Sequence, residues 1–492
     1  MNHTYRPSLR LCVTLLCVVA LSAGCPLVLG NAIVWAKRGG GEGSDRAYGL
    51  TALSDGTSLV TGYFTGDAAL CGCPDQHGDI SSSGGRDMFV SLYGTSGIPV
   101  WVRTSSGEGD NQGRAVDGLD DGTSVVTGFF TDDATFGGSK DGGTVLSSAG
   151  DMDVFTVGYD GDGVMQWVAG GGSTGTDAGM GVSICSDGSC VATGYFSGSA
   201  TFSDASKAQV VVNSAGDLDF FLARYSSAGL LQWVATAGGT TADAGYAVSA
   251  FDDGSCIVTG TFSGTATFGT GAAETTLTAA GALDAFVAKY NSDGALAWVA
   301  RIGGTTGDDE GNGVAVLDGG SCVVAGCFSG TATFEDAAKA SGTDVIGQGG
   351  QDVFVAKYDS SGSLLWVAVA GGVDNDAGYD VRPVADGTFV VTGSFQSTAV
   401  FGAGEANEST QCSEGEDDVF VAKLDADGAL LWAKRAGGSL SDIGFGIGAL
   451  PDGKSLVAGR FRGNAGFGAG LGNYTVLRSE GYCDIFVAKY PD

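Results

Sequence analysis

All seven tryptophans of the chain occupy one position of an internal repeat. They are Trp35, Trp101, Trp167, Trp233, Trp298, Trp366 and Trp432, spaced by 66, 66, 66, 65, 68 and 66 residues. The surrounding phrase repeats with them: "DAFVAKYNSDGALAWVARIGG" at 284–304 returns as "DVFVAKYDSSGSLLWVAVAGG" at 352–372. A single hydrophobic core rarely organises more than about 250–300 residues, and this chain has 492. The length and the period together require stacked units that share cores with their neighbours.

One unit reads as four strands. Strand A is "GYAVSAF" (245–251) and strand B is "CIVTGTF" (256–262). After a longer connection, strand C is "DAFVAKY" (284–290) and strand D is "ALAWVARI" (295–302). Val, Ile, Phe, Tyr and Trp dominate, and no 3.6-residue apolar stripe appears. Both faces of these strands are apolar, so each sheet must be covered on both sides. Asp-Gly between strands A and B recurs at Asp55, Asp121, Asp187, Asp253, Asp386 and Asp452, and Gly319-Gly320 serves the remaining unit. Such pairs supply the positive φ angles of tight hairpin turns.

The expected fold is all-β: a seven-bladed β-propeller of four-stranded antiparallel blades, about 66 residues per repeat over 31–492. After its first 30 residues the chain starts with a lone D strand (31–40) and ends on a C strand (484–492). The expectation is that 31–40 pairs with 484–490 and closes the last blade, leaving no exposed sheet edge. Gly62, Gly128, Gly194, Gly260, Gly326, Gly393 and Gly459 sit in the middle of strand B. Gly weakens a strand, so its recurrence there implies a close neighbour or a bulge. The tryptophans, and the Phe two residues after each of these glycines, are expected to pack between blades.

The motifs "DVFVAK", "DG…VVTG" and "W…GG" resemble the bacterial seven-bladed β-propeller repeat (SBBP) family and related exported repeat proteins of myxobacteria. The resemblance spans 31–492. It implies a propeller in an exported or surface setting and carries no catalytic residues.

Residues 1–30 read as an export signal. Arg6 and Arg10 precede the apolar stretch "LCVTLLCVVALSA" (11–23), which is too short to span a bilayer. "LSAG" before Cys25 resembles a bacterial lipobox, with Ser22 where that motif has Leu, so lipid anchoring at Cys25 and plain secretion are both open. The expected localisation is secreted or cell surface, without a membrane span. Beyond the signal, 22 basic residues face 56 acidic ones, a balance of −34. That charge argues against nucleic acid and anionic membranes. The cysteines beyond Cys25 do not recur in each repeat, so disulfides are not the framework of the fold. Cys185 and Cys190 in "CSDGSC" are the disulfide candidate: across a two-residue turn they would face each other at disulfide distance.

Chemistry has little material. His77 is the only histidine beyond the signal, and no "GxSxG" occurs. Cys71, Cys73 and His77 form a lone three-ligand patch without the paired spacing of a zinc site. The B–C connections run about 15–20 residues and vary between units, so the face they share with the D–A connections is the expected binding face. On that face lie Asp45, Asp177, Asp243, Asp309, Asp376 and Asp442, with Asn111 beside Asp110 in unit two. One reading is a calcium site at the channel mouth, since hard cations take oxygen ligands. The other is that each carboxylate caps its own connection. The leading functional expectation is an exported, monomeric, non-enzymatic binding or scaffolding module for a protein or glycan partner. A calcium- or carbohydrate-binding module and a carboxylate-based hydrolase or lyase are the alternatives.

Overall fold

The computed structural model describes residues 32–70, 79–137, 143–339, 342–468 and 474–492. Their regular structure is β, and the only helical elements among them are two three-residue 3-10 turns.

Unit four shows the plan. Strand A is Asp243–Ala250, strand B Cys256–Phe262, strand C Asp284–Tyr290 and strand D Leu296–Gly304. A pairs with B, B with C and C with D, all antiparallel. Every position of this strand B is buried, as its two apolar faces require. Six units take all four strands from consecutive sequence. The last has strands A (Ile443–Ala449), B (Ser455–Phe461) and C (Asp484–Tyr490), and there the chain stops. Its fourth strand comes from the opposite end of the chain. Trp35–Gly41 pairs antiparallel with that strand C, in a register running from Trp35↔Lys489 to Gly39↔Ile485.

The apolar core is shared between neighbouring units. One cluster joins Phe220 and Leu222 of unit three to Val258 and Phe286 of unit four. Another joins Leu50, Val60 and Phe89 of unit one to Leu456, Ile485 and Val487 of the last. Each innermost strand A touches strand A of the next unit, and that of the last unit touches that of the first.

The B–C connections differ from the sequence expectation. They are not open loops but outer hairpins, as in Thr265–Phe268 paired with Thr275–Thr278. The first of these hairpin strands also pairs with strand D of the preceding unit, Gly238↔Thr267 and Gly239↔Ala266. The pattern "ATF" (266–268) explains the hairpin: Ala266 and Phe268 are buried on one side and Thr267 faces out, an alternation of period two.

The tryptophans join one unit to the next. Trp233 Nε1 donates to the Ser292 carbonyl in the C–D turn of the following unit at 3.0 Å, and its ring lies over Gly294. Trp35, Trp101, Trp167, Trp298 and Trp366 make the same bond to Thr95, Gly161, Ser227, Ser360 and Ala426. Trp432 meets the place where the chain ends, and its ring is covered by Lys434 Nζ at 3.7 Å, which also donates to the Pro491 carbonyl at 2.8 Å. Gly294 has φ +84°, and a Cβ there would sit 3.0 Å from the Trp233 ring. Gly294→Ala is therefore expected to cost about 1–3 kcal/mol from backbone strain and overpacking, read as a lowered Tm with unchanged circular dichroism.

Candidate functional site

The aspartates of the D–A connections are built into the backbone. Asp243 is buried; one carboxylate oxygen accepts from Gly239 N at 2.8 Å and the other from Ser263 N at 3.2 Å. The same pair of bonds, to the residue ending strand D and the residue following the core of strand B, is made by five others. Asp45 uses Gly41 and Thr65. Asp177 uses Ser173 and Ser197, and Asp309 uses Gly304 and Ser329. Asp376 uses Gly372 and Gln396, and Asp442 uses Gly438 and Arg462. Each carboxylate thus clamps two backbone segments of its own junction. Among the described residues no three His, Cys, Asp or Glu side chains gather as a metal-holding group.

Burial raises these carboxyls, since a charge loses solvation there. Asp45, Asp177 and Asp309 are pushed up to about 6, and Asp243, Asp376 and Asp442 to about 7. The aspartates that open strand C add to the rise at each clamp, Asp219 beside Asp243 and Asp418 beside Asp442 among them. In unit two the partner is an amide: Asn111 Nδ2 donates to Asp87 at 3.0 Å.

The disulfide expected between Cys185 and Cys190 is not formed, and both thiols are free. The turn is one residue longer than the Asp-Gly motif implies. Cys185 N donates to the Ser189 carbonyl at 2.7 Å and Gly188 N to the Cys185 carbonyl at 2.8 Å. Ile184, not Cys185, therefore pairs with Cys190. With Gly188 at φ +79°, this is a three-residue hairpin loop closed by a glycine bulge, and the register shift separates the cysteines. Cys25, Cys71, Cys73 and His77 lie outside the described residues. Among those described, Cys412 is disulfide-bonded.

A different set of side chains converges on the centre. In every unit strand A carries a β-bulge one residue after its pairing with the mid-strand glycine of strand B. The bulged residues are Tyr48, Arg114, Met180, Tyr246, Asn312, Tyr379 and Phe445. All seven are half-buried and line one central cavity of about 100 Å³. The strand B glycine makes the bulge possible: a Cβ on Gly62 would lie 1.8 Å from the Arg46 carbonyl oxygen, and one on Gly260 2.0 Å from that of Ala244. Bulges re-aim side chains and gather at functional sites. The sequence signal is the recurrent glycine; the residues it turns inward are hidden because their type varies, with Tyr at three of the seven positions.

Four of these residues make a continuous run of contacts. The Tyr379 and Phe445 rings are 5.3 Å apart and the Phe445 and Tyr48 rings 5.1 Å apart. Arg114 Cζ lies 4.2 Å from the Tyr48 centroid, a cation–π contact. In the same cavity, Asp380 and Arg382 face each other at 3.5 Å. The other units carry Gly or Ala at the position of Asp380.

No family model matches the chain. It is 32% identical over 121 residues to the regulatory protein FlaEY of Caulobacter vibrioides, covering 24% of this chain and 13% of that protein. It is 23% identical over 437 residues to an uncharacterized WD repeat-containing protein of Acanthamoeba polyphaga mimivirus, covering 75% of this chain and 31% of that one. The chain thus spans less than a third of either relative's length. Among solved structures, the WD40 repeats of RRP9 align with a TM-score of 0.30 at 10% identity, covering 73% of this chain and 91% of that one. Rhamnogalacturonan lyase YesW aligns at 0.27 and 13%, covering 80% and 76%. The WD-repeat relative is in keeping with a propeller-like repeat chain, and none of these matches points to the SBBP family in particular.

Proposed function

We propose that the chain is an exported, seven-bladed β-propeller, closed by its first strand, that acts as a non-enzymatic binding module through its central channel. The observation that carries this reading is the set of seven bulges. A strict repeat keeps its glycines, tryptophans and clamping aspartates, yet at the one position turned into the channel it presents aromatic, cationic, amide and thioether groups. Packing alone favours one residue type at such a position; a ligand site needs several convergent ones. Closure is supported by the pairing of Trp35–Gly41 with the last strand C and by the contact of the last strand A with the first. Export rests on the signal-like residues 1–30 alone, and secretion with or without a lipid at Cys25 is consistent with it.

The clamping geometry of the six aspartates supports the structural reading over a calcium ring, and added calcium at millimolar levels is expected to leave the Tm unchanged. The binding site is tested by filling it. Met180→Trp places an indole in the channel and leaves the tryptophan bridges and the aspartate clamps intact. The variant is expected to melt within about 2 °C of the parent and to lose at least about tenfold in affinity for ligands found on glycan or peptide arrays. Unchanged binding by a folded variant would move the site elsewhere.

A further inference from the structure

We infer that the channel mouth recognises a chain-terminal sugar bearing one carboxylate, a pyranose of the uronic acid class; this rests on the channel being the binding site. The first observation is Arg114. Its guanidinium lies on the Tyr48 ring and makes no hydrogen bond or ion pair among the described residues. Arg382, by contrast, is matched by Asp380 at 3.5 Å. An uncompensated guanidinium is costly to hold inside a cavity, and its planar fork matches a carboxylate bidentately. In a chain of net charge −32 it stands out as a place for an anion.

The surroundings limit that anion to one charge. Asp380 lies in the same cavity. Asp117 is held beside it by Thr51 and Ser183 hydroxyls, each at 3.2 Å. With Asp380 matched by Arg382, Arg114 is the one positive charge among the described cavity residues left for an anion, and a phosphate dianion exceeds it in so acidic a chain. A monocarboxylate does not.

The walls favour a sugar. Half-buried Tyr379 and Phe445 contribute aromatic rings to the cavity lining, and aromatic rings suit the C–H face of a pyranose. Hydroxyls of Tyr48 and Tyr246 accept bonds from Arg46 and Thr261, which leaves their own protons to donate. Asn312 Nδ2 is engaged by the Gly378 carbonyl at 3.2 Å, and its amide oxygen remains to accept. An extended peptide would instead be read by strand addition along an edge, and here the bulge breaks the edge of every strand A where it faces the channel. The cavity is small, about 100 Å³, a size that suits the end of a chain.

The test is calorimetric titration of the mature chain with four probes. Two are oligosaccharides ending in glucuronate or galacturonate, one is the matching neutral oligosaccharide, and one is a peptide with a free C-terminal carboxylate. The acidic sugars are expected to bind at least about tenfold tighter than the neutral one. Arg114→Gln should abolish that preference and Arg114→Lys should keep part of it, with the Tm of each variant as the folding check. Should Arg114→Gln fail to fold, the preference measured in the parent decides the matter alone. Equal binding of acidic and neutral sugars that Met180→Trp abolishes would overturn the carboxylate inference while leaving the channel site standing. Binding that survives Met180→Trp would overturn both. Binding of the peptide alone, or of none of the four, would overturn the sugar assignment.

Discussion

A chain lacking residues 32–41 is expected to lose its cooperative fold, not merely its first strand. Trp35–Gly41 is the fourth strand of the last unit, and its removal exposes the full edge of Asp484–Tyr490, an aggregation template. The cut also takes Ile33 and Ala36 out of a shared core cluster and Arg38 away from the fully buried Asp484, 3.2 Å distant. It strips the Asp45 clamp of Gly41, the first outer hairpin of its partner strand, and the C–D turn of unit one of Trp35. Because repeat units are stable only against their neighbours, the loss is expected to spread to the adjoining units. The Tm is expected to fall by more than about 10 °C or the protein to aggregate on expression. A truncated chain that melts with the full one would contradict closure.

The second large effect is an inverted pH profile. The six clamping aspartates stand at about 6 to 7 in the fold, above the ordinary value of about 3.9. Asp219 and Asp418 are also raised, to about 6 and about 7. In every case burial is the largest cause. A carboxyl raised in the folded state binds more protons folded than unfolded, so stability falls as pH rises. The contribution is complete below about pH 4 and is lost as the pH passes through 6 to 7. The Tm is therefore expected to be about 5 °C or more higher at pH 5 than at pH 8. Surface repulsion in an acidic chain acts in the same direction, but about 0.5 M salt screens exposed charges within a few ångström and leaves the buried clamps unscreened. The slope should persist in that salt and become shallower in Asp243→Asn, which imitates Asn111. A Tm that rises from pH 5 to pH 8 would show that these carboxylates are stabilised as anions.

The sequence carried the repeat and the order of the strands, because both depend on apolar runs of β-branched and aromatic residues and on glycine placement. Strand B at 256–262 and strand C at 284–290 fall where the apolar runs put them. The pairing of the two chain ends followed from a D strand without a C at one end and a C without a D at the other. The outer hairpins were missed because two short strands, one of them "TATF", look like loop when read against the long apolar runs beside them. The Cys185–Cys190 register differs by one residue, since Asp-Gly here ends a three-residue loop that starts at Ser186 and in which Gly188 adds a bulge. The channel residues were the hardest to see. Tyr48, Arg114, Met180, Tyr246, Asn312, Tyr379 and Phe445 share a backbone role but only three share a residue type, and positions that vary do not stand out in a repeat. The aspartates recur for the opposite reason, as each makes the same two backbone bonds.

The claim that one closed ring gathers these side chains is tested most directly by a single contact. Tyr48 and Phe445 lie near opposite ends of the sequence, yet their rings are 5.1 Å apart. Nuclear Overhauser spectroscopy on the mature chain, with only Tyr and Phe ring protons observed, is expected to show a Tyr–Phe cross-peak that disappears in both Phe445→Leu and Tyr48→Leu. Folded protein in which no Tyr–Phe cross-peak depends on both residues would mean that the first and last units do not meet, and that the channel does not exist.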